Sequence, residues 1–406
     1  MIKNIFHKIK NKKVLDILIN DILFIALRIV LSVLLARLLT KEQYGSYNYF
    51  ISLLTLVSIF SLPGMNQAIT NSISNGRYGI LKAATFVKLK YSILGIIFLI
   101  IFLAYELLFR NPETSTIIMY IVCIIMLVPF NAFTSYTSFY NGVQDYKGLK
   151  RTNIKLNIFI IITTISITIL TKNVVFVLTT YLVGVSLFQF FIYIKQIKQC
   201  ENDEYSEKDI RFGKSFSGIN AILHFSNNIE RILIAHFLGL EMLAIYTVAS
   251  AIPNQFRRIS GFGITYLFPK ISALNEYEAI KMIKKYRLKL NVFYFSIGLI
   301  GILVSPILIV LLYGEKYIES VIYTQLFFLV MTMNLTNSTL TKLLLPALQK
   351  TKLLLQINLI MGILNIIGYL VLIPIFDIMG VIYSQLVSTI AGSIIGWSKI
   401  NKIYKQ

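Results

Sequence analysis

Charge is the scarcest commodity in this sequence. Only 14% of its 406 residues are charged, and the 18 acids are outnumbered about two to one by 39 lysines and arginines. Histidine (3), cysteine (2) and tryptophan (1) are rare. Cys123 and Cys200 give no disulfide framework, and Cys123 sits in an apolar run where packing explains it. Three histidines and two separated thiols form no ligand cluster, so no metal site is expected. The chain also lacks a Walker motif, a carboxylate pair in a polar loop and a nucleophile beside a base. Neither catalysis nor energy from ATP bound to this chain is expected.

What is abundant is apolar sequence. Hydrophobic residues make up 56% of the chain and the mean hydropathy is +0.72. An apolar run of about 20 residues crosses a bilayer core, and this chain is almost a continuous series of them. Twelve membrane helices are expected, near 14–39, 45–69, 86–109, 114–139, 151–171, 173–194, 213–237, 243–269, 288–313, 318–345, 353–376 and 378–399. The first apolar segment continues to Leu39, carries Asp16, Asp21 and Arg28, and shows no small-residue cleavage site, so it reads as a retained helix and not a signal peptide.

The net charge of +21 would suit nucleic acid, but the basic residues sit at the ends of apolar runs, on one side. With the N-terminus in the cytoplasm, the inside segments take most of the cations, including Arg77, Lys82, Lys88 and Lys90 in one turn. The outside retains only Arg37, Lys41, Arg110, Lys172 and Lys316, while Arg28 and Arg231 lie within helices. This bias supports twelve helices with both termini cytoplasmic and no nucleic-acid partner. The outside turns, such as 40–44 and 238–242, are too short for an external catalytic domain. Two inside connections are longer. The polar segment 195–211 joins two halves, and 270–290 has the pattern of an amphipathic helix with Asn275 and Glu278 spaced as a capping box. Its cations either face anionic head groups or are simply solvated.

The halves repeat. LLARLLTKEQYGSY (34–47) aligns without gaps to LIAHFLGLEMLAIY (233–246), with identities at Leu34/Leu233, Ala36/Ala235, Leu39/Leu238, Glu42/Glu241 and Tyr47/Tyr246. Further on, 134–153 aligns to 339–358, with Thr134/Thr339, Gln144/Gln349, Lys147/Lys352, Leu149/Leu354 and Asn153/Asn358 identical. The expected fold is therefore an all-α polytopic membrane protein. Two pseudo-symmetric six-helix lobes, 1–200 and 213–406, are joined by a cytoplasmic linker at 201–212 and enclose a central cavity.

The segment LLARLLTKEQYGSYNYFISLLTLVS resembles the opening signature of bacterial oligosaccharide flippases, the Wzx or polysaccharide-transport group. These belong to the MOP superfamily with multidrug (MATE) exporters and the peptidoglycan-precursor flippase. NNIERILIAHFLGLEMLAIYTVASAIPNQF (227–256) resembles the matching start of the second half. Asn228, Glu230-Arg231, Leu238-Gly239 and Tyr246 stand at the signature positions, with Glu230 where Asp is usual. The resemblance implies a substrate built as a short glycan on a polyprenyl diphosphate. The protein would flip it to the external leaflet of the bacterial cytoplasmic membrane by alternating access, for O-antigen or capsule. It would act as a monomer among membrane lipids and other polysaccharide assembly proteins. The alternatives are a MATE-like multidrug or solute exporter and, further off, a membrane glycan polymerase.

A charge at mid-membrane costs about 2.5–3.5 kcal/mol on insertion scales, so it faces a cavity or a partner. Arg28, Arg231 and Arg258, then Arg257, are the candidate anion contacts, because a guanidinium keeps its charge and donates bidentate hydrogen bonds to phosphate. Internal pairing of Arg28 with Asp21 and of Arg231 with Glu230 explains them equally well. Asp21 and Glu230 are read as salt-bridge partners or as coupling-ion groups for a proton or sodium gradient, with no other cofactor expected. His224 and His236 are read as packing or lumen-lining residues. Pro63-Gly64, Pro129 and Pro253 are expected to interrupt their helices, while Pro306 reads better as an accommodated kink. The stripe Ser384, Ser388, Gly392, Gly396 is expected to pack closely against a neighbouring helix.

Overall fold

The computed structural model describes the backbone of residues 12–405. It describes side chains over 22–402, except 219, 220, 223, 227, 258–266 and 269. The described residues form helices and turns with no strand. In chain order the α-helices are α1 (Lys12–Leu38), α2 (Lys41–Val57), α3 (Met65–Ser74), α4 (Ile80–Phe109), α5 (Thr114–Ala132), α6 (Tyr136–Gly142), α7 (Tyr146–Thr171) and α8 (Val174–Ile197). They continue with α9 (Glu207–Leu238), α10 (Leu240–Ser272), α11 (Glu276–Tyr313), α12 (Ser320–Ser338), α13 (Leu345–Ala347), α14 (Thr351–Phe376) and α15 (Ile378–Lys405). Each of the twelve expected spans falls on one helix or on a helix pair joined at a break. Seven described spans are long and apolar enough to cross a membrane, and the bent pair α2–α3 makes an eighth. The remaining four lie on α1, α9, α10 and α12, the rods on which several candidate site residues ride. Their neighbours present bare apolar surface, as Leu170 (80% exposed) and Leu303 (67%) illustrate, which hydrocarbon would cover.

By packing, the chain divides between Asn228 and Ile229, inside α9. The connection 201–212 belongs to the first unit and is strapped to its α3–α4 turn. Arg77 pairs with Asp209 at 2.9 Å and Lys82 with Asp203 at 2.7 Å. Asn202 accepts from the Tyr78 amide and donates to the Gly76 carbonyl.

The duplication reaches the backbone. Gln144 and Gln349, paired in the sequence repeat, both adopt left-handed φ (57° and 54°) just before α7 and α14. Lys172 and Asp377, at the same offset, do so (49° and 53°) at the turns that follow those helices. Thr134 lies in a 3-10 turn between α5 and α6, and its partner Thr339 opens a π-helical turn after α12. Each unit thus breaks the same rod at the same place.

The prolines differ in whether they break their helices. Pro63-Gly64 does break its helix: Leu62 turns left-handed (φ 51°), and the segments on either side meet at 57°. Gly64 is required there, because a Cβ would lie 2.5 Å from the Gly213 carbonyl and 2.6 Å from the Ser217 amide. Its own amide donates to Ser217 Oγ at 2.8 Å. Pro129 lies inside α5, one turn before the 3-10 break. Pro253 and Pro306, in contrast, do not interrupt α10 and α11. At Pro306 the reason is visible. The carbonyl it leaves without an amide, Ile302, accepts instead from Ser305 Oγ at 2.9 Å and Gln325 Nε2 at 3.4 Å.

The amphipathic segment 270–290 is not a separate surface helix. Asn275 caps α11 by accepting from the Glu278 amide at 2.8 Å, and the helix then runs unbroken into the span. Its apolar face, Ala279, Ile280 and Ile283, is buried against Leu343, Leu344, Trp397 and Ile400. The small stripe on α15 packs as expected: added carbons would strike Met361 at Gly392 and Leu340 at Gly396.

Gly64→Ala should be damaging, because the added methyl meets backbone that cannot rotate away. The expected result is a fall in the detergent melting temperature that Gly218→Ala, with nothing within 4 Å of its added carbon, does not match.

Candidate functional site

Two ionisable side chains, Glu230 and Lys88, are held by neutral partners among the described residues. In the second unit, Glu230 stands on α9 one position before Arg231. Its Oε1 accepts from the Tyr246 hydroxyl of α10. Its Oε2 accepts from the Tyr369 hydroxyl of α14 at 3.0 Å and from Gln385 Nε2 of α15 at 2.9 Å. Four helices therefore converge on one carboxylate. Both tyrosines are 1% exposed, while Glu230 itself is half-buried. A carboxylate offers about four lone-pair sites; three are filled, and one is left for a proton or a small cation. The polar lining continues along α15. Ser388 Oγ donates to Asn365 Oδ1 at 2.6 Å, and Thr389 Oγ1 donates to Asn334 Oδ1 at 3.2 Å.

The ion pair between Arg231 and Glu230 is not formed among the described residues. Arg231 is half-buried, and with Arg257 it lies close enough to act electrostatically on Tyr246. Arg257 is exposed and acts likewise on Lys342. The side chain of Arg258 lies outside the described residues, as does that of Asp21.

In the first unit, Arg28 is exposed, with its guanidinium 4.4 Å from the centre of the Phe24 ring one turn earlier. Its charge reaches Tyr47 and Tyr136. Tyr136 donates to Asn153 Oδ1 at 2.9 Å. His224 is a structural contact: Nε2 meets the Thr55 carbonyl at 2.8 Å and Ser58 Oγ at 3.2 Å, at the start of the α2–α3 break.

The side chain that sequence reading missed is Lys88. It was placed among cytoplasmic cations, yet it is 1% exposed. Its ammonium donates to Asn66 Oδ1 at 3.1 Å and Thr134 Oγ1 at 2.8 Å, with Ser135 Oγ at 3.5 Å. An ammonium has three donors, and here all three are used. Asn66 lies just past the Pro63-Gly64 break, and Thr134 and Ser135 form the 3-10 break. Lys88 therefore ties the two bent rods of the first unit together. In the second unit the repeat partner of Thr134 is Thr339, whose Oγ1 donates to the Leu335 carbonyl at 3.5 Å. The only sequence signal for Lys88 was its position among apolar residues at helical spacing, and its partners lie too far away along the chain to be inferred from it.

The described residues thus form a polytopic helical protein with polar clusters inside each unit. Among solved structures, the chain is similar to the lipid II flippase MurJ in an inward closed conformation (TM-score 0.72, 16% identity, covering 94% of this chain and 87% of that one). It is also similar to an inward-facing multidrug resistance MATE transporter of the MOP superfamily (TM-score 0.67, 13% identity, 95% and 96% covered). A third is a MOP superfamily transporter from Pyrococcus furiosus, described by the reverse polarity of its binding pocket (TM-score 0.59, 13% identity, 97% and 96% covered). A comparison with curated proteins finds no sequence match. Residues 12–275 match the family described as polysaccharide biosynthesis protein, and the chain belongs to that family. It is a multi-pass membrane protein with the fold of these transporters and this flippase.

Tyr369→Phe removes one of the three donors to Glu230 and leaves the others in place. Hydrogen bonds to charged groups contribute about 1.5–3 kcal/mol, so the variant should lose stability on that scale. Urea or thermal unfolding of the detergent-solubilised protein would measure it, with Tyr383→Phe, an exposed hydroxyl, as the reference that shows no such loss.

Proposed function

We propose that the protein is a flippase for a lipid-linked glycan. It moves an oligosaccharide on polyprenyl diphosphate from the cytoplasmic to the external leaflet of the bacterial cytoplasmic membrane, for O-antigen, capsule or another surface polymer. Membership of the polysaccharide biosynthesis family over 12–275 is the observation that carries this reading. The likeness to a flippase of lipid II supports the reading, since that protein too moves a lipid. Both termini lie in the cytoplasm, in keeping with the distribution of Lys and Arg.

In this reading Arg28, Arg231, Arg257 and Arg258 meet the diphosphate as the transporter alternates its access. Exposed Arg28 and half-buried Arg231 are accessible enough for that role. Glu230 takes the coupling cation, a proton or sodium, at its remaining lone pair, and Asp21 assists on α1. Occupation of that site changes the charge on which four helices converge, which gives the ion a differential effect on the unit's conformations. The chain works as a monomer beside other polysaccharide assembly proteins. The likeness to a MATE exporter keeps an ion-coupled drug exporter as the second reading.

The test is depletion in cells. Loss of the protein should trap a polyprenyl-diphosphate oligosaccharide in the cytoplasmic leaflet, detectable by mass spectrometry with leaflet-selective labelling. Arg28→Ala, Arg231→Ala and Arg258→Ala, at matched protein levels, should each reduce surface glycan at least several-fold. Normal surface glycan in all three would remove the arginines from the site. No trapped lipid, together with greater sensitivity to cationic drugs, would favour the exporter.

A further inference from the structure

At one end of the second unit, α14 begins and its antiparallel neighbour α15 finishes. Both are long and apolar enough to span a membrane. Between these ends lies a cavity of about 510 Å³ lined by Gln349, Lys350, Thr351, Lys352, Leu353, Lys399 and Lys402. Four of its seven lining residues are lysines, and no acid lines it. Lys350 is paired with Glu276 at 3.0 Å. Lys399 meets only the neutral Gln356 Oε1, at 2.8 Å, and Lys352 and Lys402 have no carboxylate within ion-pair distance among the described residues. The cavity therefore holds a net excess of about three cations.

The backbone adds to the field. Gln349 turns left-handed (φ 54°), and the cap of α14, Lys350, supplies no side-chain acceptor to the first turn. The positive end of a helix of 26 residues is thus left for an external acceptor at the same place. Along α14 from Lys352, on the same side of the helix, the surface becomes apolar and bare at Ile363 (49% exposed) and Ile367 (54%). A basic pocket whose outer wall continues as exposed hydrocarbon matches the two parts of a phospholipid, an anionic head and its chains.

We propose that this pocket is a binding site for the phosphate head group of an anionic membrane lipid, in the leaflet at that face. Lys352, Lys399 and Lys402 meet the phosphate, and the acyl chains lie along α14. The site is built from the second unit alone and does not depend on which glycan the protein carries. A lipid bound there bridges the ends of α14 and α15, which also supply Tyr369 and Gln385 to the Glu230 cluster. Lipid composition would thereby bias the helix pair that holds this carboxylate.

The experiment uses the purified full chain in detergent, with phosphatidylglycerol or phosphatidylcholine added, read by native mass spectrometry and by thermal melting. Wild type should retain phosphatidylglycerol preferentially and melt higher with it. Lys352→Gln/Lys399→Gln/Lys402→Gln should melt as wild type in phosphatidylcholine, so its fold is intact. It should lose phosphatidylglycerol affinity by about 100-fold at low salt, from about 1 kcal/mol per cation at an anionic surface. The same number of charges removed from exposed positions of the first unit, Lys147→Gln/Lys155→Gln/Lys195→Gln, should leave that affinity unchanged. Equal losses in the two triple variants would overturn the site. So would equal retention of both lipids by wild type. Stabilisation by inorganic phosphate alone, without preference for phosphatidylglycerol, would overturn its assignment to a lipid.

Discussion

An unsatisfied polar group in hydrocarbon is the cost around which this molecule is arranged. Each backbone or side-chain group left without water must find a partner inside the protein, at several kcal/mol if it does not. The lysine at position 88 spends all three donors on Asn66, Thr134 and Ser135. The carboxylate of Glu230 collects three donors from three helices. The orphaned Ile302 carbonyl at Pro306 is recovered by Ser305 and Gln325. These are the same solution at three scales. They also explain why Pro306 leaves its helix continuous while Pro63-Gly64 does not: partners compensate the former, and close approach to Gly213 and Ser217 fixes the latter.

The duplicated scaffold carries charges that are not duplicated. Left-handed residues recur at Gln144 and Gln349 and again at Lys172 and Asp377. The rods break at Thr134 and Thr339 in both units. Yet the first unit buries an ammonium and the second holds a carboxylate. The repeat position of Glu230 in the first unit is Leu31, and Tyr246, which bonds Glu230, corresponds to Tyr47. Duplication supplies the mechanical frame, and the departures from it supply the chemistry. In the proposed flippase both have a use, since equivalent bends would allow coordinated movement and unequal charges would let an ion or an anion distinguish the conformations.

Much of the frame was legible because hydrocarbon imposes simple rules. Runs of apolar residues about twenty long gave the twelve rods, and the stripe from Ser384 to Gly396 gave a close helix contact. The cages were not legible. Placing the start of the third rod at 86 left Lys88 near a membrane face, whereas α4 begins at Ile80 and buries it. Glu230 was visible as an intramembrane acid, and its neighbour Arg231 was the obvious partner along the chain. The actual partners stand 16, 139 and 155 residues away. Periodicity reveals which face a residue occupies, not what comes to meet that face.

The central claim is that a caged carboxylate couples an ion gradient to the turning over of a lipid-linked glycan. Its most direct measurement is flipping in proteoliposomes: the purified protein, a fluorescent polyprenyl-diphosphate oligosaccharide, and a membrane-impermeant quencher outside. Coupling through Glu230 predicts that an imposed proton or sodium gradient accelerates the change in quenching in wild type, and that Glu230→Gln flips at the rate seen without a gradient. A gradient response that is undiminished in Glu230→Gln would contradict it.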